Sequence, residues 1–377
     1  MSRLKNYLLL AAMMLICSLA GAEEYNSEGY LQVTGPCGLE FPRDHGAHPG
    51  YRTEWWYYTG NLKSVDGRHF GFQLTLFRRQ IKPSEKEGDP VEPNSAWRTS
   101  QVYFGHVALT DIKRGRHRQA ENIARGALGL AGSVQLNGAT TIWLHNWSIQ
   151  IDPDAHNIFA ETPEFRIRLK HTPLKPPVLH GEKGYSRRGE GPGQAGCYYS
   201  ITRMNSGGEL TVDGRSFPVS GQSWMDHDFS TTLLEPGTVG WDWFSLQLSD
   251  DSEIMFYLLR TEDGALHPAS SGTFVDRQGK STHLERGAIS VFVLDRWKSP
   301  VSGAVYPSRW RVKLSFLDID LVIASNLPDQ EMKTLQTTGT IYWEGSVSVV
   351  GQSGGQKVNG AGFVELTGYA RPFGVPE

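Results

Sequence analysis

The chain has 377 residues, a formal net charge of −3, 20% charged residues and 11% aromatics. So even a balance gives no electrostatic reason to bind nucleic acid, and no basic run marks an anionic membrane surface. The length suits one large domain or two ordinary ones, and it can bury a core without help from disulfides.

In chain order the first element is a targeting segment. Arg3 and Lys5 precede an apolar run from Tyr7 to Leu19, and "SLAGAEE" puts Ala20 and Ala22 at the small positions of a signal-peptidase site. Residues 1–22 are therefore expected to be a signal peptide cut before Glu23, and the mature chain to be periplasmic or secreted from a bacterium. Lipidation would have to use Cys17, which follows bulky Ile16 where a small residue is required. After Glu23 no apolar run is long enough to span a bilayer. The mature chain keeps Cys37 and Cys197, which in an oxidising compartment are either a disulfide or two separate thiols.

The rest reads as β. "RHFGFQLTLF" alternates, with Phe70, Phe72, Leu74 and Leu76 on one face. Asp66-Gly67, Asn137-Gly138, Asp213-Gly214 and Asp263-Gly264 are hairpin turn signals between such runs. A weak repeat relates "TEWWYYTGNLKSVDGRHFGFQLTLFR" (53–78) to "VGWDWFSLQLSDDSEIMFYLLR" (239–260), matching Trp56 to Trp243 and Tyr57 to Phe244, with one extra residue in the first copy as a bulge. Two similar β domains in tandem follow, 23–228 and 229–377. Residues 171–197, rich in Pro and Gly, are expected to lack strand or helix over most of their length, as a lid over a cavity or an excursion without function.

The familiar catalytic signatures are missing: no G-x-S-x-G, H-E-x-x-H, Walker loop or G-x-G-x-x-G after a strand. Neither a cofactor nor a metal is called for, and a metal set joining His227 to His45 or His48 has no support from spacing. Two constellations remain. In "SWMDHDF" the carboxylates of Asp226 and Asp228 flank His227, a pairing that favours a protonated imidazole and so a general acid. Yet in an extended strand the two aspartates face away from the histidine, and the three converge only at a turn or bulge. The second is aromatic: Trp55, Trp56, Tyr57 and Tyr58 put rings on both faces of one strand. That suits a barrel with an apolar ligand inside and another element packed outside. Glu54 heads this strand as a paired structural ion. Arg78 and Arg260 read as buried salt-bridge partners or barrel-end caps, and His106, Glu344 and Glu365 as outward-facing.

With these residues in hand the chain resembles the carotenoid 1,2-hydratase/AttH superfamily, in its secreted branch of tandem lipocalin-like proteins often labelled "predicted secreted hydrolase". The resemblance is carried by "FPRDHGAHPGYRTEWWYYTGNL", "FGHVALTD", "GQSWMDHDFSTT", "GWDWFSLQL", "YPSRWRV", "YWEGSV" and "GFVELTGYARP", in order from about residue 41 to 372. It implies an all-β protein of two tandem lipocalin-like antiparallel barrels, with the ligand site near their junction. It also implies an association with an inner-membrane ABC transporter. In the family's hydratases a histidine, a tryptophan two residues on, and a tyrosine and aspartate on a following strand act together. Here His227 and Tyr257 match, but Phe229 and Leu259 replace the other two. The first reading is therefore a binder of a hydrophobic, lipid- or isoprenoid-like molecule, contacted by Trp55, Trp56, Tyr58, Trp224, Phe229, Trp241 and Trp243. The second is a hydratase or isomerase with His227 as acid, helped by Asp226, Asp228 and Tyr257, where aromatic faces and a carboxylate such as Asp228 or Asp242 stabilise a cation. A hydrolase ranks last.

Overall fold

A computed structural model describes residues 24–83 and 95–373. The expected signal peptide and Cys17 lie outside these residues. Among them a first sheet takes β1 (Thr53–Ser64), β2 (His69–Gln80), β3 (Gln101–Asp111), β4 (Arg116–Arg125), β5 (Ala131–Leu136), β6 (Ala139–Leu144), β7 (Trp147–Ile151), β8 (His156–Glu161), β9 (Phe165–Pro173), β10 (Val178–Leu179), β11 (Tyr185–Arg187), β12 (Ala195–Val212) and β13 (Arg215–Ser230). A second takes β14 (Thr238–Leu248), β15 (Glu253–Thr261), β16 (Ser271–Val275), β17 (Ser281–Glu285), β18 (Ser290–Lys298), β19 (Val305–Leu314), β20 (Ile319–Ser325), β21 (Glu331–Thr334), β22 (Thr340–Ser353) and β23 (Gln356–Leu366).

All pairings within the two sheets are antiparallel. The first runs β4-β3-β2-β1-β13-β12-β9-β8-β7-β6-β5 and curls until β3 and β4 pack on β5 and β6, a nearly closed barrel. The second runs β17-β16-β15-β14-β23-β22-β20-β19-β18 and stays open as a half-barrel. Both units are lipocalin-like. At Asn137-Gly138 and Asp213-Gly214 both turn residues take positive φ, as a two-residue hairpin needs; at Asp66-Gly67 and Asp263-Gly264 only the glycine does. Among the described residues no helix is long and apolar enough to cross a membrane.

Each unit is filled by its own side chains. Trp56, Tyr58, Phe70, Phe72 and Tyr199 pack inside the first, and Phe244, Phe256, Trp310 and Trp343 inside the second. The β1 rings that turn into the first barrel, Trp56 and Tyr58, are packed core and do not face an apolar ligand space there, contrary to the expectation from the aromatic strand. A third cluster of Tyr57, Tyr198, Trp224, Trp243 and Tyr257 lies between the sheets. Gly71 of β2 permits this approach, since a Cβ there would come within 2.7 Å of Ser346 on β22.

The internal repeat is real in topology and off by one residue in register. Hairpins β1–β2 and β14–β15 each pair with the last long strand of their unit, β13 and β23. But Trp56 faces its barrel core, as Phe244 does, whereas Tyr57 and Trp243 both face the junction and meet edge to face at 5.3 Å. A one-residue shift exchanges the faces of a strand, so matching Trp56 to Trp243 set a core residue against a junction residue.

Residues 171–197 form a strap. β10 and β11 pair briefly with β12, the Cys37–Cys197 disulfide anchors the stretch, Lys175 reaches Glu253 at 2.8 Å and His180 reaches Thr273 at 2.8 Å. Such short pairings leave no periodicity to read. Because the disulfide closes a long loop, Cys197→Ser is expected to cost about 2–5 kcal/mol, read as a lowered midpoint in denaturant unfolding that reduction of the parent protein reproduces.

Candidate functional site

In β1 and β13, aligned Trp55↔Asp228, Trp56↔His227 and Tyr57↔Asp226, alternate residues take opposite faces. Trp56 and His227 turn into the first barrel. Trp55, Tyr57, Asp226 and Asp228 turn toward the second unit, where Trp241 and Trp243 of β14, Tyr257 and Leu259 of β15, Glu344 of β22 and Glu365 of β23 meet them. Together they wall a cavity of about 1020 Å³ whose rim includes residues 231–239.

Its polar lining includes the carboxyl groups of Asp226, Asp228, Glu344 and Glu365. Asp226 accepts hydrogen bonds from Tyr198 at 2.6 Å, from Trp224 Nε1 at 2.5 Å and from Ser200, and Trp243 Nε1 donates to the Tyr198 hydroxyl at 3.0 Å. Burial still pushes the Asp226 carboxyl up to about 7. Asp228 is bridged through Oδ2 by Arg188, from just beyond β11, while its Oδ1 is buried without a partner; burial raises it to about 6 against that cation. Arg188 also lies 5.2 Å from the Trp55 ring centroid, and Gly196 makes space for the pair, since a Cβ there would lie 2.7 Å from the guanidinium. Glu344 faces Glu365 across β22 and β23, and burial raises both. The Tyr257 hydroxyl is held by Ser186, Ser271 and the Arg187 carbonyl.

Several expected site residues lie elsewhere. His227 is 0% exposed inside the first unit, with Nε2 2.8 Å from Glu54 Oε1, Nδ1 3.0 Å from the Tyr199 hydroxyl and its ring stacked on Trp56. Burial holds its pKa below the usual imidazole value, so it is neither in the cavity nor a ready acid. The cause is strand alternation: the triplet stays extended and never converges. Trp56 and Tyr58 are core for the same reason, and Phe229 stacks on His48 with centroids 3.6 Å apart, away from the cavity. Trp224 supports the site through Asp226. Asp242 is locked to Arg260 at 3.0 Å and to Tyr369 on the other face of β14.

Tyr57, Tyr198 and Arg188 are among the cavity residues that sequence reasoning missed, as are Glu344, Glu365 and His106. Read as outward-facing, the last three do point out of their own units, but the outside there is the other sheet. A glutamate in "YWEGSV" and another in "GFVELTGY", both in strands without turn signals, were the only trace of the carboxyl pair.

A second polar cluster is closed. Glu54, 0% exposed, pairs with Arg78 Nε at 2.7 Å and His48 Nδ1 at 2.7 Å as well as His227, and His48 Nε2 reaches Asp44 at 3.3 Å. One ligand atom each from His48, Glu54 and His227 lies within 4.8 Å of the others, a spacing a metal ion would accept. Each of those atoms is already hydrogen-bonded, and Arg78 occupies the second Glu54 oxygen, so the donor set is one that protons satisfy. The carboxylates raise His48 above the usual imidazole range and Arg78 holds Glu54 well below its own.

His227→Ala should therefore act on stability, leaving Glu54 and Tyr199 short of a partner at about 1–3 kcal/mol, seen in denaturant unfolding. The pH dependence identifies the other cluster. Glu344, raised from 4.5 to about 7, binds more proton folded than unfolded, so its contribution is complete below 4.5 and is lost as pH rises through about 7. Glu344→Gln is expected to lose less stability than the parent between about pH 5 and about pH 8, measured by unfolding at both ends.

The sequence-family model of AttH-like proteins matches residues 32–369. No curated protein matches the chain in sequence. Among solved structures, that of an AttH protein (NE1406) from Nitrosomonas europaea is similar over 89% of this chain and 99% of its own, at 32% identity and a TM-score of 0.78. Kievitone hydratase from Nectria haematococca shares the fold at a TM-score of 0.68 and 13% identity, over 92% of this chain and 99% of its own. CghA, solved with Sch210972, shares it at 0.54 and 11%, over 92% and 97%. The last two likenesses concern the fold alone. With its tandem sheets and the match from residue 32 to 369, the chain belongs to the AttH-like family.

Proposed function

We propose that the protein holds a largely apolar small molecule in the junction cavity. The observation that carries this reading is the space itself: about 1020 Å³ between two filled units, walled by Trp55, Trp241, Trp243 and Tyr257. That size matches the upper range of small-molecule pockets, and aromatic walls with a few placed polar groups are their usual lining. The signal peptide expected at residues 1–22 favours a periplasmic setting. An ABC transporter as donor or recipient of the ligand rests on the family resemblance.

A second reading, hydration or isomerisation of an unsaturated ligand, is favoured by one observation: Asp226 and Asp228 line the cavity and are raised to about 7 and 6. A carboxyl still protonated near neutrality can deliver a proton to an alkene, and its conjugate base can take one back from the attacking water. The acid on this reading is a cavity carboxyl in place of His227. A hydratase among proteins of this fold is in keeping with it.

Native mass spectrometry of protein taken from its own periplasm, followed by organic extraction, tests both. A stoichiometric hydrophobic molecule is expected, with retention reduced about tenfold in Trp241→Ala. A hydroxyl at a former double bond would select the second reading. Protein that is empty and takes up neither isoprenoid nor fatty-chain probes would overturn the first.

A further inference from the structure

The cavity is aromatic along its walls and acidic at one end, and among the described residues no cation acts on that end. Glu344 and Glu365 are register partners on β22 and β23, with side chains on the face opposite Trp343, Val364 and Leu366 of the second core. Like charges placed directly opposite on neighbouring strands are destabilising, more so when buried.

Of the cavity-lining arginines other than Arg188, Arg52 pairs with Glu28, and among the described residues neither it nor Arg79 acts on Glu344 or Glu365. Tyr57 of β1, Gln73 of β2 and Tyr342 of β22 lie within hydrogen-bonding reach of Glu344, while Asp226 of β13 raises Glu365 further and the Trp241 indole of β14 hydrogen-bonds it. From β3, His106 bonds the Tyr342 hydroxyl at 3.0 Å, and burial depresses its pKa to about 3, leaving it neutral. Arg188 is committed to Asp228. The open valences point the same way. Glu344 Oε1 and the Tyr57 hydroxyl, in side chains 3% and 6% exposed, line the cavity close enough to act on each other, yet neither completes a full hydrogen bond. Buried polar atoms in folded proteins are nearly always paired.

The geometry points to an ammonium site: Glu344 and Glu365 form the polar end of the junction cavity and bind the protonated amine of an otherwise apolar ligand. An ammonium brings three donors to these acceptors and the positive charge the pair lacks. A carboxylate headgroup would add a further negative charge to the pair. The inference rests on the reading of the junction cavity as the ligand site. It also carries a proton balance. With only acidic and neutral neighbours the pair retains proton at neutral pH, and an entering ammonium stabilises the ionised form and expels it to solvent.

Three probes of equal chain length, dodecylammonium, dodecanol and dodecanoate, each below its micelle concentration, test it by isothermal titration of the full mature chain. The ammonium is expected to bind at least about tenfold tighter than the alcohol, and dodecanoate weakest of the three. Titration in two buffers of different ionisation enthalpy should show proton release with the ammonium alone. Glu344→Gln and Glu365→Gln should each abolish the preference of ammonium over alcohol; the ranking and proton release in the parent protein stand whether or not the variants fold. Alcohol or carboxylate binding as tightly as the ammonium, or a preference kept in both variants, overturns the ammonium site and leaves the cavity reading intact. Binding of none of the three overturns both.

Discussion

A β-strand has only two faces, and where the two sheets meet, both faces of each strand are buried. That constraint organises the molecule. In β1 the order Trp55, Trp56, Tyr57, Tyr58 sends alternate rings to the filled barrel and to the shared cavity, and β13 does the same with Asp226, His227 and Asp228. In β14 it separates Trp241 and Trp243 from Asp242 and Phe244, and in β22 it separates Glu344 from Trp343. Moving any of these strands by one residue would bring carboxyl groups into an apolar core and large rings against the opposite unit, which is why the register is so firmly specified.

Much of the fold was legible for this reason. Alternation, turn dipeptides and the repeated hairpin each reported a local property, and local properties survive in sequence. What failed was the sense of direction. Two acids and three tryptophans lie near His227 in sequence, yet its strand neighbours Asp226 and Asp228 face the other way. For Glu344 and Glu365 "outward" would ordinarily mean solvent, and only the docking of the two sheets makes it an interior. The repeat, aligned on tryptophan identity, exchanged the two faces of one copy. Each error concerns which unit a face meets, a relation between elements that no local pattern encodes.

The two buried polar clusters differ in a way that separates structure from function. Around Glu54 each charge has an answer: Arg78, His48, the neutral imidazole of His227 and, beyond His48, Asp44. Removing any member leaves a charge stranded, so the cluster fixes the position of β1 against β13 and the segment before β1. At the junction, of the carboxyls of Asp226, Asp228, Glu344 and Glu365, one is ion-paired among the described residues, Asp228 with Arg188; Asp228 Oδ1 has no partner, and Glu344 Oε1 and the Tyr57 hydroxyl complete no full hydrogen bond. Folding alone gives no reason to keep such groups, because apolar side chains of the same size would pack there at lower cost.

The cavity also depends on how the sheets are held apart, and that is set by contacts around its edge. Gln247 donates to the Thr202 and Ser223 carbonyls, Asn61 donates to the Gly362 carbonyl, and Arg203 and Lys175 converge on Glu253 across the join. Strap residues 171–197 bring in Lys175, His180 and Arg188, and the Cys37–Cys197 bridge keeps the base of the strap in place. With each unit packed by its own side chains, the width of the space between them is set by these edge contacts and the strap, while the strands beneath supply rigid walls.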